Sequence, residues 1–216
     1  MIDARTAMID SQLRPNRVND ERIIAAISKV DRTLFVPKEK QSIAYVDDSI
    51  EVADGRYLLE PRVFARLLVA ADIQADELVL DVACGTGYST AVLAGLADAV
   101  VALEKDQTLA EMAEENLTAS EVINAAVIAG DVNAGNEKQG PYDVIFIGGA
   151  VADVPECFIK QLKDGGRIIT LLVDKGFCRA CKITKNGEKG VRENLFDAHA
   201  EILPGFEAKK SFVFDA

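Results

Sequence analysis

The residues of this sequence that fit ligand chemistry are two glycines and three acids that lie at the ends of successive apolar runs. Asp81 lies near the end of one run and is followed by Gly85 and Gly87. Glu104 closes the next run, 19 residues after Gly85, and Asp131 follows the third. An acid after the first strand can receive an ammonium group, and one after the second can bind both hydroxyls of a ribose. We therefore predict a site for a cofactor with a ribose and an amino-acid end.

The segment from Asp81 to Thr90, which is predicted to turn from a strand into a helix, allows two other interpretations. A nicotinamide dinucleotide site needs G-x-G-x-x-G, but Thr90 stands where the third glycine belongs, and none of the four tyrosines begins a Tyr-x-x-x-Lys pair. The simplest alternative is a tight turn that packs a helix on a strand, with acids that only cap helices. Three acids on one rim favour the cofactor site.

Cysteine and histidine usage predicts neither a disulfide framework nor a metal site. The chain has four scattered cysteines and a single histidine, His199. Its C-x-x-C pair, Cys178 and Cys181, lies in an alternating, strand-like run, whereas a redox pair needs a helix N-terminus and a structural zinc needs further ligands. We expect two reduced strand cysteines and no metal.

Apolar runs that alternate with helical patterns predict a doubly wound α/β fold, with a parallel sheet buried on both faces. Asn19 is the predicted N-cap of an early helix that ends at "FVP", residues 41–61 are predicted to be a loop-rich connector, and Asn186-Gly187 predicts a hairpin at an antiparallel edge. Other predicted helices cover residues 4–13, 61–73, 88–96, 107–118 and 155–163. Predicted strands cover residues 78–82, 99–104, 125–129, 143–149 and 166–173.

Composition limits the possible partners. The chain has 216 residues, a formal net charge of −11 and 49% hydrophobic residues, so it can bury a full core but offers no basic stripe for nucleic acid. No apolar signal core opens the sequence, and Asp98 interrupts the best apolar stretch, so we predict no membrane span. We expect a monomer in the cytoplasm.

The stretch "LDVACGTGYSTAVLA" resembles motif I of class I S-adenosylmethionine-dependent methyltransferases, D/E-x-G-x-G-x-G, with Ala83 in place of the first glycine. Over nearly its whole length, the chain more narrowly resembles the protein-L-isoaspartate O-methyltransferase family. "QLRPNRVNDERIIAAISKVDRTLFVP" is similar to that family's N-terminal helical segment, "AYVDDSI" to its A-Y-x-D-x-P-L, and "SFVF" to its closing strand. The resemblance implies a Rossmann-like fold with a mostly parallel seven-stranded sheet, an N-terminal helical segment and an antiparallel C-terminal edge.

The resemblance also implies roles for the residues of the turn and the strand ends, with S-adenosyl-L-methionine as the cofactor. The residues expected around its methionine end are Asp81, Ala83, Gly85 and Gly87. Glu104 is expected to hold the ribose, and Asp131 the adenine. The neighbours expected to complete the cofactor site are Cys84, Tyr88, Lys105 and Val132.

The acceptor loop departs from the family. The family has G-Q-T-I-S-Q-P where this chain has "GRYLLEP", so Tyr57 and Leu59 replace two hydroxyl residues, the second being the serine to which the family's activity is attributed. Arg56 offers a partial substitute, because a guanidinium grips a carboxylate through two bonds. We expect weak activity on isoaspartyl peptides and a loop rebuilt for a larger or more apolar acceptor. A phenol or amine acceptor would instead need a base, for which the loop acids Asp47, Asp48 and Glu60 are candidates.

We predict one methyltransferase domain over residues 1–216: an N-terminal and acceptor-loop segment (1–61), a cofactor-binding core (62–175) and antiparallel strands (176–216). Its predicted function is methyl transfer to a carboxylate of a protein or peptide. A carboxylate is already ionised at neutral pH, so this reaction needs alignment and desolvation more than a base. The alternatives are a divergent methyltransferase with another acceptor, such as a small-molecule carboxylate, and a cofactor-binding protein that has lost turnover.

Overall fold

The structure, a computed structural model, describes residues 3–208, so the predicted closing strand "SFVF" lies outside the described residues. The N-terminal segment folds into short helical pieces. These are α1 (Ala4–Met8), a π-helix (Ile9–Leu13), α2 (Glu21–Lys29) and 3₁₀ turns at Arg14–Asn16, Arg32–Phe35 and Lys38–Ile43. The predicted cap of α2 is wrong by one residue, because Asp20 accepts the N–H of Arg22. The helix also ends earlier than predicted, at Lys29.

The rest of the described chain alternates strands and helices. The helices are α3 (Pro61–Ala71), α4 (Tyr88–Ala94), α5 (Gln107–Ala119) and α6 (Glu156–Gln161), with a 3₁₀ turn at Glu137–Gln139. The strands are β1 (Ile50–Ala53), β2 (Arg56–Leu58), β3 (Leu78–Val82), β4 (Ala99–Glu104), β5 (Ala125–Ala129), β6 (Tyr142–Val151), β7 (Leu162–Asp174), β8 (Phe177–Asn186) and β9 (Lys189–Asp197). The predicted bounds of β3, β4 and β5 are confirmed, whereas β6 and β7 are longer than predicted.

Seven of these strands form one sheet in the order β5-β4-β3-β6-β7-β8-β9. The first five are parallel, and β8 and β9 pair antiparallel, which confirms the predicted fold class and the hairpin at Asn186-Gly187. Apolar side chains cover both faces of the parallel strands, as expected for a sheet packed between helices. Strand order reverses beside β3, between β4 and β6, so the carboxyl ends of these strands form the crevice where open α/β sheets bind ligands.

The connector at residues 41–61 is the main correction to the sequence-based prediction. It contains a hairpin, β1–β2, in which Ile50 pairs with Leu58 and Ala53 with Arg56. Its strands have four and three residues, which is too short for an alternating pattern to stand out, and the signal that reveals it is the Asp54-Gly55 turn. Gly55 has φ +66°, a conformation that glycine adopts without strain. The hairpin matters because it carries Arg56 toward the carboxyl end of the sheet.

Candidate active site

The turn between β3 and α4 has a left-handed backbone at three positions. Ala83, Gly85 and Gly87 have φ values of 58°, 59° and 92°. A Cβ added to Gly87 would lie 3.2 Å from the Cβ of Ala113, a tight contact, and the left-handed backbone here favours glycine. Ala83 shows that the turn also holds a residue with a Cβ in this region, where the family motif has its first glycine. The turn brings the chain sharply over the end of β3.

Asp81 lies beneath this turn and is wholly buried. Its Oδ2 accepts the hydroxyls of Ser89 and Thr90, each at 2.7 Å, while its Oδ1 has no hydrogen-bond partner. Thr90, which replaces the third glycine of the dinucleotide pattern, thus holds the acid in place. Burial raises the pKa of Asp81 to about 7, although the two hydroxyl hydrogen bonds lower it. The pKa of this buried carboxyl group therefore lies close to neutral pH.

Glu104, at the end of β4, is also wholly buried and accepts five hydrogen bonds. Three come from the backbone N–H groups of Gly85, Lys105 and Asp106, at 2.8 to 3.0 Å. The other two come from the guanidinium of Arg56, whose Nη1 and Nη2 each lie 2.7 Å from a carboxylate oxygen. Burial opposes ionisation, but Arg56 and the N–H groups outweigh it and hold the pKa of Glu104 below its usual value.

Arg56 is only 9% exposed, and its Nη2 also donates to the carbonyl of Ala83 at 2.9 Å. From the sequence, we expected this side chain to grip an acceptor carboxylate. In the structure it grips the carboxylate of Glu104, the residue expected to hold the ribose. The acceptor loop and the cofactor turn are therefore joined by a buried ion pair across 48 residues of sequence.

Two cavities meet at Arg56. The wide cavity has a volume of about 410 Å³, and among its lining residues are Arg56, Ala83, Glu104, Lys105, Leu109 and Val132. The narrow cavity has a volume of about 30 Å³, and among its lining residues are Arg32, Arg56, Leu59, Gly85, Tyr88 and Ser89. Tyr57, Ala83 and Cys84 also line the narrow cavity. Asp131 lines neither cavity; it is exposed and accepts the N–H of Asn133.

The predicted acceptor-loop residues separate into two groups. Tyr57 and Leu59 line the narrow cavity, and Leu59 is buried. Glu60 and Asp47 face Arg62 instead, at 2.7 and 3.6 Å, and line neither cavity. Neither acid is therefore placed as a base for the site.

Sequence analysis missed two parts of the site. Arg32 is a wholly buried arginine, but Lys29 and Asp31 beside it are also charged, so no sequence pattern marks it as buried. Leu203, Pro204 and Gly205 line the wide cavity from the C-terminal side, and Leu203 lines the narrow one as well. These three carry no pattern that distinguishes them from an ordinary loop.

Among residues 3–208, no group of three or more His, Cys, Asp or Glu side chains is arranged to hold a metal. The same range contains no helix that is both long and apolar enough to span a bilayer. The four cysteines are free thiols.

The strand order, the reversed last strands and the acids at the ends of β3 and β4 define a Rossmann-like methyltransferase fold. The protein-L-isoaspartate(D-aspartate) O-methyltransferase family matches residues 4–198, and the chain belongs to that family. This confirms the predicted family and its class of enzyme, the S-adenosylmethionine-dependent O-methyltransferases.

Curated relatives agree with this assignment. The chain is 38% identical over 165 residues to the protein-L-isoaspartate O-methyltransferase of Koribacter versatilis, covering 76% of this chain and 74% of the relative. It is 35% identical over 165 residues to that of Methanoculleus marisnigri, covering 76% and 75%.

Solved structures share the fold. One protein-L-isoaspartate O-methyltransferase superimposes with a TM-score of 0.82 at 25% identity, over 93% of this chain and 66% of that one, so this chain spans just under two thirds of its length. A Plasmodium falciparum chain assigned to the same activity, solved with S-adenosyl-L-homocysteine, superimposes with a TM-score of 0.81 at 20% identity, over 94% of this chain and 99% of that one.

Proposed function

We propose that this protein transfers the methyl group of S-adenosylmethionine to a carboxylate of a protein or peptide, as its family does with isoaspartyl residues. The observation that carries the proposal is the wide cavity at the carboxyl ends of β3 and β4, with Glu104 in its wall and Asp81 beneath the adjoining turn. Such a position is where open α/β sheets bind nucleoside cofactors.

The residues present fit the cofactor on two counts. The unpartnered Oδ1 of Asp81 is a buried acceptor that lacks a donor, which suits the ammonium group of a methionine end. The wide cavity, of about 410 Å³, falls in the range typical of small-molecule sites. Glu104 fits the ribose hydroxyls only if Arg56 releases it, because its oxygens already accept five hydrogen bonds.

The chemistry asks little of titratable side chains. The cofactor supplies an electrophilic methyl group on a sulfonium. An acceptor carboxylate with a pKa of about 4 is already ionised at neutral pH, so it could receive the methyl group without first losing a proton to a base. The chain's own residues are left to align the acceptor and exclude water. Burial of Leu59, Tyr88 and Phe64 around the narrow cavity suits the second task.

We further propose that residues 1–216 act as a single domain, divided near residues 61 and 175, in a monomeric cytoplasmic protein. The net charge of −11 supports a monomer, because like charge opposes self-association. Cofactor-binding roles for Lys105 and Val132 are supported by their place in the wall of the wide cavity. An adenine contact by Asp131 has no such support, and Val132 is the better candidate.

Calorimetry on the purified protein tests this function. S-adenosylhomocysteine should bind and NAD, the control ligand, should not, and an isoaspartyl peptide should be methylated in the presence of S-adenosylmethionine. Binding of NAD without binding of S-adenosylhomocysteine would overturn the assignment. Tight binding of S-adenosylhomocysteine with no methylation of any carboxylate peptide would favour a cofactor-binding protein that has lost turnover.

A further inference from the structure

Two guanidinium groups line the narrow cavity. Arg32 reaches it from the 3₁₀ turn at Arg32–Phe35 and Arg56 from β2, and the cavity lies between the acceptor loop and the turn after β3. No acidic residue is among the described residues that line it. Two cations beside a small enclosed volume, with no anion in its wall, are typical of a site for a small anionic group.

Arg32 is a buried charge without a carboxylate partner. It is 0% exposed, and its Nε and Nη2 donate to the carbonyls of Ala44 and Leu59, each at 2.7 Å. Its Nη1 is buried with no hydrogen-bond partner, and no carboxylate within residues 3–208 lies within 4.0 Å of the guanidinium. Buried charges are ordinarily paired, because an unpaired one is costly to remove from water. The guanidinium lies 4.7 Å from the ring centre of Tyr88, which stabilises the cation but does not neutralise it.

Glu104, the ion-pair partner of Arg56, has enough other hydrogen-bond donors to remain ionised when Arg56 leaves it. Glu104 keeps three backbone N–H donors, from Gly85, Lys105 and Asp106, when Arg56 is taken away. A carboxylate with three such donors remains satisfied as an anion. Arg56 is on a short hairpin, whereas those N–H groups are fixed by the main chain of the sheet and turn, so Arg56 is the donor that can change partner.

We propose that the narrow cavity is a carboxylate-binding subsite in which Arg32 and Arg56 are the cations, and that Arg56 exchanges Glu104 for the bound carboxylate. The volume of about 30 Å³ admits a group of one or two water-sized units, which suits a carboxylate and excludes a ring. The subsite belongs to the methyltransferase site proposed above, and the inference rests on that function. The carboxylate can come from the acceptor, which we expect, or from the amino-acid end of the cofactor.

The test uses two matched pairs of ligands. An isoaspartyl peptide is compared with the same peptide carrying asparagine, and S-adenosylhomocysteine is compared with 5′-methylthioadenosine, which lacks the amino-acid end. Calorimetry gives a dissociation constant for each ligand on the native protein and on Arg56→Gln, with both peptides measured at saturating S-adenosylhomocysteine. Glutamine suits the position because the family's loop carries it there. The result is read as the ratio of the two dissociation constants within each pair. Any gain in affinity that arises because Glu104 no longer binds Arg56 affects both ligands of a pair and therefore cancels in the ratio.

We expect Arg56→Gln to reduce the preference for the isoaspartyl peptide over its asparagine match by about tenfold or more, the effect of a hydrogen bond to a charged group. A comparable fall in the preference for S-adenosylhomocysteine over 5′-methylthioadenosine would also support the subsite and would assign the carboxylate to the cofactor. Arg179→Gln is the control, because it removes the same charge from an exposed pair with Asp197 and should leave both ratios unchanged.

Unchanged ratios in Arg56→Gln would overturn the subsite, and so would equal weakening of both members of each pair, which is what a purely structural role produces. Thermal unfolding of each variant establishes that the protein measured is folded. If the native protein binds S-adenosylhomocysteine but Arg56→Gln leaves the ratios unchanged, the carboxylate subsite is wrong and the proposed function still stands. Native protein that binds none of the four ligands would defeat the proposed function as well.

Discussion

The wide and the narrow cavity share the wall formed by Arg56 but differ in size and charge. The wide cavity, of about 410 Å³, has Asp54, Glu104 and Asp106 in its wall, whereas none of the described residues around the narrow cavity, of about 30 Å³, is acidic. Acids suit the hydroxyl groups of a nucleoside, and an excess of guanidinium suits an anion. The two walls therefore suit two different kinds of ligand, and Arg56, together with Ala83 and Leu203, divides the two cavities.

The ion pair between Arg56 and Glu104 also stabilises the folded protein. Its loss should have the largest effect of the changes that we predict. Glu104→Ala should lower the free energy of unfolding by about 3 to 5 kcal/mol, because it leaves Arg56 as an uncompensated buried charge. From the sequence alone, Glu104 was expected only to hold the ribose, and the buried pair gives it a structural role as well. Urea unfolding measures the loss.

A double-mutant cycle separates the pair from other effects of the substitution. In the Arg56→Gln background, Glu104→Ala should lower the free energy of unfolding far less, because no buried guanidinium is left without a partner. If Glu104→Ala lowered the free energy of unfolding equally in both backgrounds, Arg56 would have found other partners. The ion pair would then add nothing beyond packing between the two cavities.

Asp81 should make cofactor binding depend on pH, because its pKa of about 7 lies between pH 6 and pH 8, where binding can be measured. The groups that act on it are the hydroxyls of Ser89 and Thr90 and the charges of Glu104 and Arg56. If the ionised form receives the cofactor's ammonium, affinity for S-adenosylhomocysteine should rise by about tenfold between pH 6 and pH 8. Asp81→Asn should bind weakly at both pH values, and His199→Gln, the control for the single histidine, should keep the native profile.

The same pKa predicts an opposite trend in stability. The pKa of Asp81 is raised in the folded protein above the value of about 3.9 for an unfolded chain, so the folded state holds a proton that the unfolded state has lost. Its contribution to stability is therefore present below about pH 4 and lost as the pH rises through about 7. Urea unfolding across this range should show a smaller fall for Asp81→Asn. An identical fall in both proteins would mean that Asp81 is ionised throughout.

The sequence predicts the wide cavity better than the narrow one, for a physical reason. Glu104, which lines the wide cavity, and Asp81, which lines neither cavity, are placed by β4 and β3, whose apolar runs are long enough to show their type and their ends. Arg56 is placed by a hairpin of seven strand residues and reaches Glu104 across 48 residues of sequence, and Arg32 is placed by a 3₁₀ turn and reaches Leu59 across 27. Contacts across such separations leave no local pattern. The alternating runs therefore predicted the cofactor rim, and the ion pair that divides the site was found only in three dimensions.

The smallest effect we expect concerns Tyr57 and Leu59, which line the narrow cavity where the family carries hydroxyls. Arginine supplies charge for binding a carboxylate, but leucine cannot donate a hydrogen bond to align it, so loss of the hydroxyls should lower kcat more than it raises KM. The Tyr57→Thr, Leu59→Ser double variant should therefore raise kcat on an isoaspartyl peptide by about fivefold, the value of one hydrogen bond of about 1 kcal/mol, with little change in KM. Leu59 is buried, so the folded fraction must be measured alongside, and Ile123→Ser, at a position 96% exposed, is the control for adding a hydroxyl elsewhere. Native turnover equal to that of hydroxyl-bearing relatives, with no gain in the double variant, would show that the two arginines align the acceptor by themselves.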